Sequence, residues 1–255
     1  MDEAAWREHE KIQERYWWHR HKREVLLSIA EERPYSRVLE IGAGGGSMAA
    51  SLQKPCRRVT TDLDLRHVSP GGAVARLPEL CFKPGLFDLV ILSEVLEHLD
   101  APVEALKTVH RVMAPGGRCL ITVPAWPMLW SEHDRFYGHK KRYTPAILRS
   151  ELNAAGFEVS RTGWMFFAPF WPVLVWRLAK RPLETFRNSQ PPQSDFVPMP
   201  ELVNTLCYFY LHVLEYPLAA RGWLPIGSTL SAVAVKPVPA SPDNAYAHGS
   251  YAEPA

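Results

Sequence analysis

The sequence is poor in cysteine and in net charge, and each absence excludes a class of protein. Its 255 residues include four cysteines that lie far apart, so neither a CxxC zinc or redox motif nor a disulfide framework is predicted. Lys and Arg number 29 against 27 Asp and Glu, a formal charge of +2, which gives no general attraction for polyanions. We therefore expect no nucleic-acid partner, and we expect a reducing, cytoplasmic location.

Long apolar runs are also absent. Residues 1–10 are polar and acidic and lack the apolar core of a secretory signal, so export is not expected. The longest apolar stretch, Gly163 to Ala179, is shorter than the ~20 residues that span a bilayer, and it contains Pro169 and Pro172. A spanning helix is not expected, but a segment lying on a membrane surface is compatible with this composition.

Short strands and amphipathic helices alternate along the sequence. Apolar, β-branched runs predict strands, and apolar residues at helical spacing predict helices. The strands are predicted at 37–41, 58–63, 87–92, 118–123, 157–161 and 229–235, and the helices at 2–32, from 48, at 101–113 and at 144–155. This alternation is typical of an α/β fold with a doubly wound, mostly parallel sheet.

Composition and predicted elements divide the chain into five parts. A helical segment over 1–33 precedes a core over 34–162, and an apolar helical insertion over 163–228 precedes the last core strand at 229–236. Residues 237–255 are rich in Pro and polar residues and predict a disordered tail.

The most specific local pattern is an acid followed by alternating glycines, Glu40, Gly42, Gly44 and Gly46. It lies where the first predicted strand enters a tight turn, and glycine lets the backbone bend sharply and approach a ligand closely. Sheets of this kind bind ligands at the carboxyl ends of their strands. A dinucleotide fingerprint would have Gly or Ala at position 47, but Ser47 stands there, so an NAD-dependent oxidoreductase is disfavoured.

Five segments in order make the chain resemble the class I S-adenosylmethionine-dependent methyltransferases. They read VLEIGAGGG, TDLD, FDLVILSEVLEH, VMAPGGRCLITVP and LNAAGFEV. The resemblance covers residues 37–161, and 229–235 fits the last strand of that family. It implies a seven-stranded Rossmann-like sheet, S-adenosylmethionine as the cofactor, and residues 1–33 as a lid over it.

The resemblance also implies the cofactor contacts. The glycine loop passes under the methionine part, Glu40 lies near its amino group, and Asp62, the acid ending the second strand, holds the ribose hydroxyls. Many relatives have a further acid after the third strand, but this chain reads GGAVARLPEL there, so adenine contact is expected from residues 75–77, Leu77 among them. The alternative is that Glu40 and Asp62 only cap helices or turns.

The segment SEVLEH follows the strongest predicted strand, so Ser93 and Glu94 are further candidates for cofactor contact. If Glu94 begins a helical turn, it shares one face with Glu97 and His98, and this set suits a divalent cation, Mg or Mn more than Zn. The spacing resembles the metal site of small-RNA 3′-end methyltransferases and ubiquinone-pathway O-methyltransferases, with His139 as a further ligand. The alternative is a metal-free site in which the glutamates cap a helix and His98 touches cofactor or substrate.

The loop at 126–143 is expected to line the acceptor pocket, because it follows a strand at the same sheet edge. It contains His133, Asp134 and His139. An imidazole can take a proton from a hydroxyl or amine as the methyl group moves, so His133 or His139 is the candidate base, oriented by Asp134. A purely structural role in closing the loop is the alternative.

Two aromatic, apolar segments, 164–179 and 202–220, are flanked by lysine and arginine. Peripheral membrane contact, a cap over the acceptor pocket and a dimer face all fit this composition, so no oligomeric state is predicted.

The predicted function is methyl transfer from S-adenosylmethionine to a small-molecule or lipid-linked acceptor, with oxygen favoured as the accepting atom. N- or C-methyl transfer on the same scaffold is the alternative among enzymes. A catalytically inactive, cofactor-binding partner subunit is the alternative from another class.

Overall fold

Seven strands form one sheet in the computed structural model, which describes residues 15–44, 47–68, 72–186 and 199–239. Their order is β3-β2-β1-β4-β5-β7-β6, and only β7 runs antiparallel to its neighbours. The strands are β1 (Arg37–Ile41), β2 (Arg57–Asp62), β3 (Ala73–Val74), β4 (Phe87–Ser93), β5 (Met113–Pro124), β6 (Glu158–Met165) and β7 (Thr229–Val235). The predicted doubly wound α/β fold is confirmed.

Seven α-helices accompany the sheet in the described part of the chain. They are α1 (Trp17–Glu31), α2 (Pro102–Val112), α3 (Glu132–Phe136), α4 (Pro145–Ala154), α5 (Phe167–Phe186), α6 (Glu201–Tyr210) and α7 (Tyr216–Arg221). A π-helical turn, Leu211–Glu215, joins α6 to α7. None of the described helices combines the length and apolar character that crossing a membrane requires.

Strand β4 shows how the sequence builds the core. Its central residues are fully buried, as expected for a parallel strand covered on both faces. Leu89 and Ile91 belong to the hydrophobic layer that includes Leu26 of α1. Val90 and Leu92 belong to the opposite layer, which includes residues of α2 and α4. The period of two therefore sends alternate side chains to two helical layers.

Helix α1 has two parts with different surroundings. Its carboxyl half is a wall of the core, because Val25, Leu26 and Ile29 are buried with strand residues. Its first turns lie nearer the carboxyl edge of the sheet, where Lys22 Nζ is 3.7 Å from Glu94 Oε1. The predicted lid over the cofactor, residues 1–33, therefore stays a prediction for the amino-terminal part of that segment. Of this part, residues 1–14 lie outside the described residues.

The prediction of a helix that begins at Met48 is wrong. The structure has a single 3-10 turn there, Ala49–Ser51. Pro55 follows within a few residues and cannot continue a helix, so the segment turns back into β2. The other predicted elements are present with shifted ends: β5 begins at Met113, directly after α2, and β6 continues to Met165, three residues into the predicted insertion. Most of the predicted tail, 240–255, lies outside the described residues.

Candidate active site

Three neighbouring strands, β2, β1 and β4, each carry an acid at or just after their carboxyl end. In the strand register Glu40 is level with Thr60 and Ile91, so Asp62 and Glu94 lie two and three residues further on. Because parallel strands end at one edge, the three acids surround one stretch of that edge. A cationic ligand matches this local charge.

The Glu40 carboxylate is bound by the segment that follows the glycine loop. It accepts hydrogen bonds from the Met48 and Ala49 amides, both at 2.9 Å, and from the Ser47 hydroxyl at 2.6 Å. Glu40 is 3% exposed, and burial raises its pKa against the opposing effect of these bonds. The Glu40 carboxylate thus caps the 3-10 turn and fixes the conformation of the segment that follows the glycine loop.

The glycine loop bends where the motif places it. Gly42 and Gly44 have φ of +73° and +55°, in the left-handed region that side chains disfavour. A Cβ on Gly42 would come within 2.7 Å of Val95, whereas a Cβ on Gly44 would project into open space. The loop therefore presents bare backbone to the space above it. Gly46 lies outside the described residues.

Asp62 is joined to the glycine loop across the edge. One carboxylate oxygen accepts the Gly44 amide at 2.9 Å, and the other accepts the Asp64 amide at 3.0 Å. Leu63 and Leu65 beside it are 68% and 72% exposed. These apolar side chains, which sequence reasoning missed, offer a surface for a flat aromatic group next to the acid. The alternation TDLDL after a strand was their only signal.

The predicted adenine contact at Leu77 has no support from its side chain. Leu77 is 7% exposed and packs in the core, so its side chain faces away from solvent. Arg76 is exposed, while Ala75 is half-buried and its amide donates to the Asp62 carbonyl at 3.1 Å. This strand end thus stays beside Asp62, with residues other than Leu77 at its surface.

Ser93 and Glu94 form the end of β4. The Ser93 hydroxyl lies 3.1 Å from the Thr122 hydroxyl, and the Glu94 amide donates to the Thr122 carbonyl at 3.0 Å. Glu94 has φ of +56°, an uncommon conformation for a residue other than glycine. Its buried Oε1 faces Lys22 Nζ at 3.7 Å, a partner that sequence reasoning missed because 72 positions separate the two residues.

The second group of site residues is Glu97, His98 and His139. Each can offer a ligand atom, and these atoms lie within 4.8 Å of one another. The His98 and His139 rings meet edge to face with centroids 4.8 Å apart. Glu94 is not part of this group, because residues 96–98 form a 3-10 turn rather than the α-turn that the predicted alignment of Glu94 required.

Glu97 is the most unusual member of the cluster. It is 0% exposed, and among the described residues neither carboxylate oxygen has a hydrogen-bond partner. Burial and the nearby Glu94 raise the pKa of Glu97 well above its usual value. Burial and the neighbouring His139 lower the pKa of His98. An unpaired buried carboxylate is costly, so a cation in this cluster would relieve that cost.

Two hydrogen bonds to backbone carbonyls explain why residues far apart in sequence meet here. The Lys140 amide donates to the Glu97 carbonyl at 2.6 Å, and the Tyr143 hydroxyl donates to the Leu96 carbonyl at 3.3 Å. The loop at 126–143, called the acceptor loop below for its predicted role, is therefore fixed against the turn after β4, and this carries His139 to the cluster.

Asp134 orients His139. Its Oδ1 lies 2.8 Å from His139 Nδ1 and accepts from Arg142 Nε at 2.8 Å, and its Oδ2 lies 3.6 Å from Arg177 Nη1. Asp134 is fully buried, which raises its pKa, but the bonds from His139 and Arg142 outweigh burial and hold the pKa below its usual range. His139 Nε2 is left to face the site. Sequence reasoning did not pair Arg142 or Arg177 with Asp134, since charge alone does not fix partners.

His133 is not one of the three residues that form the cluster. Its ring packs against Tyr137 at 4.7 Å, and Tyr137 in turn lies 6.3 Å from His139. Of the two predicted bases, His139 is the one that Asp134 orients toward Glu97 and His98.

An aromatic pair forms a wall beside the acceptor loop. Trp126 stacks on Trp164 with centroids 5.0 Å apart, and its indole N–H donates to the Gly227 carbonyl at 3.0 Å. Met128 and Phe136 on the same loop are each 46% exposed. The loop thus carries exposed apolar side chains as well as a fixed aromatic pair.

Comparison with known proteins agrees with this geometry. A family model described as a methyltransferase domain matches residues 10–162, more than half of the chain. A ubiquinone biosynthesis O-methyltransferase of Aeromonas salmonicida is 28% identical over 163 residues, which cover 52% of this chain and 67% of the relative. A demethylmenaquinone methyltransferase of Beutenbergia cavernae is 30% identical over 128 residues, covering 46% of this chain and 52% of the relative. The matches thus span about half to two thirds of these curated relatives.

A solved structure shows the same fold at low identity. It is a phosphoethanolamine N-methyltransferase of Haemonchus contortus in complex with S-adenosyl-L-methionine, 19% identical, with a TM-score of 0.52 over 87% of this chain and 53% of that one. Together, the sheet order, the glycine loop and the match to the family model show that the chain belongs to the class I S-adenosylmethionine-dependent methyltransferases.

Proposed function

We propose that the chain transfers the methyl group of S-adenosylmethionine to a hydroxyl oxygen of a small, largely apolar acceptor. The observation that carries this proposal is the cluster of Glu97, His98 and His139 beside the acids of the cofactor edge. A hydroxyl must lose its proton as it accepts a methyl group, and this cluster supplies groups that assist that loss. The name of the Aeromonas salmonicida relative, an O-methyltransferase, supports oxygen as the acceptor, and N- or C-methyl transfer is the alternative.

The residues at the sheet edge fit S-adenosylmethionine. The open space above Gly44, which a Cβ would fill, admits a ligand in contact with bare backbone. Glu94 and Asp62 provide negative charge for a cofactor with a sulfonium and an ammonium group, and Asp62 can accept hydrogen bonds from ribose hydroxyls. When bound, the cofactor supplies the electrophilic methyl group.

The cluster also fits a divalent cation. Glu97 has two buried oxygens without partners in the described structure, and His139 has its Nδ1 held by a carboxylate, as metal-bound imidazoles usually do. Glu97, His98 and Nε2 of His139 would hold the ion, and it would lower the pKa of an acceptor hydroxyl. Two imidazoles and one carboxylate favour Mn²⁺ or Zn²⁺ over the Mg²⁺ expected from two carboxylates.

The protein residues position the reactants for an in-line displacement. The bond from the methyl carbon to sulfur breaks as the bond to the acceptor oxygen forms, leaving S-adenosylhomocysteine and a proton. Asp134 holds the His139 ring in place and stabilises positive charge on it. Such positioning is the main contribution that a protein makes to this displacement.

The acceptor assay tests the proposed reaction. Purified protein is incubated with S-adenosylmethionine and, in separate reactions, a hydroxylated aromatic, an aliphatic alcohol, an amine and a quinol, and products are identified by mass spectrometry. We expect a methyl ether from a hydroxylated compound. Methylation confined to nitrogen or carbon would contradict the proposal, and the absence of turnover with every class would favour the inactive partner subunit.

Metal binding is tested by thermal melting of Glu97→Gln. Mn²⁺ at about 100 times its Kd is expected to add about 2.7 kcal/mol to the unfolding free energy of the wild type, a rise of roughly 5 °C or more in Tm. Glu97→Gln should lose this rise. The matched control is Glu151→Gln, which removes a half-buried carboxylate that also has one unpartnered oxygen in the described structure, but which lies on α4, outside the cluster. If Mn²⁺ and Zn²⁺ leave the wild-type Tm unchanged and turnover survives chelation, His139 acts as a metal-free base instead.

Asp134→Asn tests the positioning of His139. The free energy of unfolding should fall by about 3 kcal/mol, because Arg142 and Arg177 lose their charged partner. Turnover should fall about 10–100-fold with an unchanged KM for the cofactor. Asp88→Asn is the control, since Asp88 also accepts several bonds, from Ser36 and Arg37, but at the start of β4. Equal loss of turnover in both variants would mean that Asp134 acts only through general stability.

A further inference from the structure

The long helical segment α6–α7 exposes an almost uninterrupted apolar face. Between Leu202 and Ala220 the only charged residue is Glu215, which is 2% exposed. Glu215 is used internally, because its carboxylate accepts the amides of Phe167 and Ala168 at the start of α5. The exposed apolar residues of the segment are Leu202, Val203, Leu206, Phe209, Tyr210, Val213, Leu214 and Leu218.

Helix α5 and the loop after α7 extend this character with tryptophan. Trp171, Trp176 and Trp223 are 49%, 57% and 68% exposed, and Val175 and Leu178 are exposed beside them. Tryptophan is rarely left this open to water, but it is enriched where an apolar phase meets a polar one. We call these faces of α5 and α6–α7, together with Trp223, the apolar surface.

Cations accompany the aromatic residues of the apolar surface. Lys180 Nζ lies 4.3 Å from the centre of the Trp176 ring, and the Arg221 guanidinium lies 5.4 Å from that of Trp223. Residues 167–180 contain no acid, and in residues 199–239 the acids are Glu201, which is exposed, and Glu215, which is buried. The rim of the surface is therefore positive where its tryptophans lie.

We propose that the apolar surface lies on a membrane that carries anionic lipids. Its tryptophans would enter the boundary between head groups and acyl chains, and Lys180 and Arg221 would meet the lipid phosphates. A second copy of the chain fits this surface less well. A two-fold contact would place the same cations on both sides of the interface, and within residues 199–239 the single exposed acid that could pair with them is Glu201. The described helices are unsuited to crossing the bilayer, so the surface would lie on it.

The apolar surface adjoins the candidate active site. Arg177, on α5 next to Trp176, donates a hydrogen bond to the Leu129 carbonyl of the acceptor loop and lies 3.6 Å from Asp134. Membrane contact through α5 would therefore bring the mouth of the site to the lipid interface. Binding is expected of the whole chain whether or not the proposed O-methylation is correct, since it needs no turnover.

Vesicle flotation tests the proposal. The full chain is mixed with vesicles of phosphatidylcholine alone or of phosphatidylcholine with phosphatidylglycerol. We expect binding that is stronger with phosphatidylglycerol and weakened by salt. Trp176→Ser and Phe209→Ser should each lower the partition coefficient about tenfold, and Lys180→Gln or Arg221→Gln about fivefold on anionic vesicles only.

Val238→Ser is the matched control, because Val238 is 69% exposed but packs near Gly116, at the opposite edge of the sheet. Unchanged melting and S-adenosylhomocysteine affinity in each variant would show that it folds. Lack of vesicle binding by the wild type, or equal binding by Trp176→Ser, Phe209→Ser and Val238→Ser, would overturn the proposal. So would concentration-dependent dimerisation that Phe209→Ser abolishes while vesicle binding persists, because the surface would then belong to a second copy.

Discussion

Gly44→Val is expected to lower the affinity for S-adenosylmethionine at least 100-fold, while Gly85→Val leaves it unchanged. Both glycines have positive φ, +55° and +69°, and a Cβ at either position would meet no atom within 4 Å. Each substitution therefore carries a similar backbone cost, roughly 1–2 kcal/mol, and a similar loss of stability. Only at Gly44 does the new side chain enter the space proposed for the cofactor.

Calorimetric titration and thermal melting separate these two effects. Melting should show comparable destabilisation of both variants, and titration should show binding by Gly85→Val alone. If Gly44→Val binds the cofactor as the wild type does, the cofactor does not pass over this loop. If both variants lose binding, the loss reflects strain, and a comparison at lower temperature would show both recovering.

His139→Ala is expected to slow methyl transfer by about 10²–10³ without changing the affinity for S-adenosylmethionine, as removal of a proton-accepting or metal-ligating group does. The affinity is expected to hold because His139 is grouped with Glu97 and His98, whereas the proposed cofactor site is formed by the glycine loop, Asp62 and Glu94. Single-turnover rates and calorimetry measure the two quantities separately.

His110→Ala is the control for His139→Ala. His110 is also half-buried, and its ring meets Phe157 edge to face at 5.0 Å, much as His139 meets His98. It lies at the end of α2, where its carbonyl accepts Lys236 Nζ, away from the carboxyl edge. A turnover loss in His110→Ala equal to that in His139→Ala would assign the effect to packing rather than chemistry.

The sheet and its ligand edge could be predicted because they depend on local patterns. A continuous apolar run such as FDLVIL is stable in an α/β domain only as a buried central strand. Because the strands that carry Glu40, Asp62 and Glu94 are parallel neighbours, their carboxyl ends meet at one edge of the sheet. The helix predicted from Met48 was wrong because helix propensity was considered without Pro55, which ends any helix there.

The partners of the site residues could not be predicted, since they depend on how distant segments are fixed together. His139 reaches Glu97 because Lys140 bonds to the turn after β4, and Arg177 reaches Asp134 because α5 lies against the acceptor loop. Glu94 was aligned with Glu97 by assuming an α-turn, and its left-handed backbone removes that alignment. The roles of His98, His133 and the other predicted site residues stay predictions.

Titration of the wild-type protein with S-adenosylhomocysteine, followed by NAD as the competitor, tests the central claim most directly. A cofactor site formed by the glycine loop, Asp62 and Glu94 predicts that one S-adenosylhomocysteine binds per chain, in the presence or absence of Mn²⁺. It predicts no heat of binding from NAD. Binding of NAD in its place, or no binding of either compound, would contradict a methyl-donor site at this edge of the sheet.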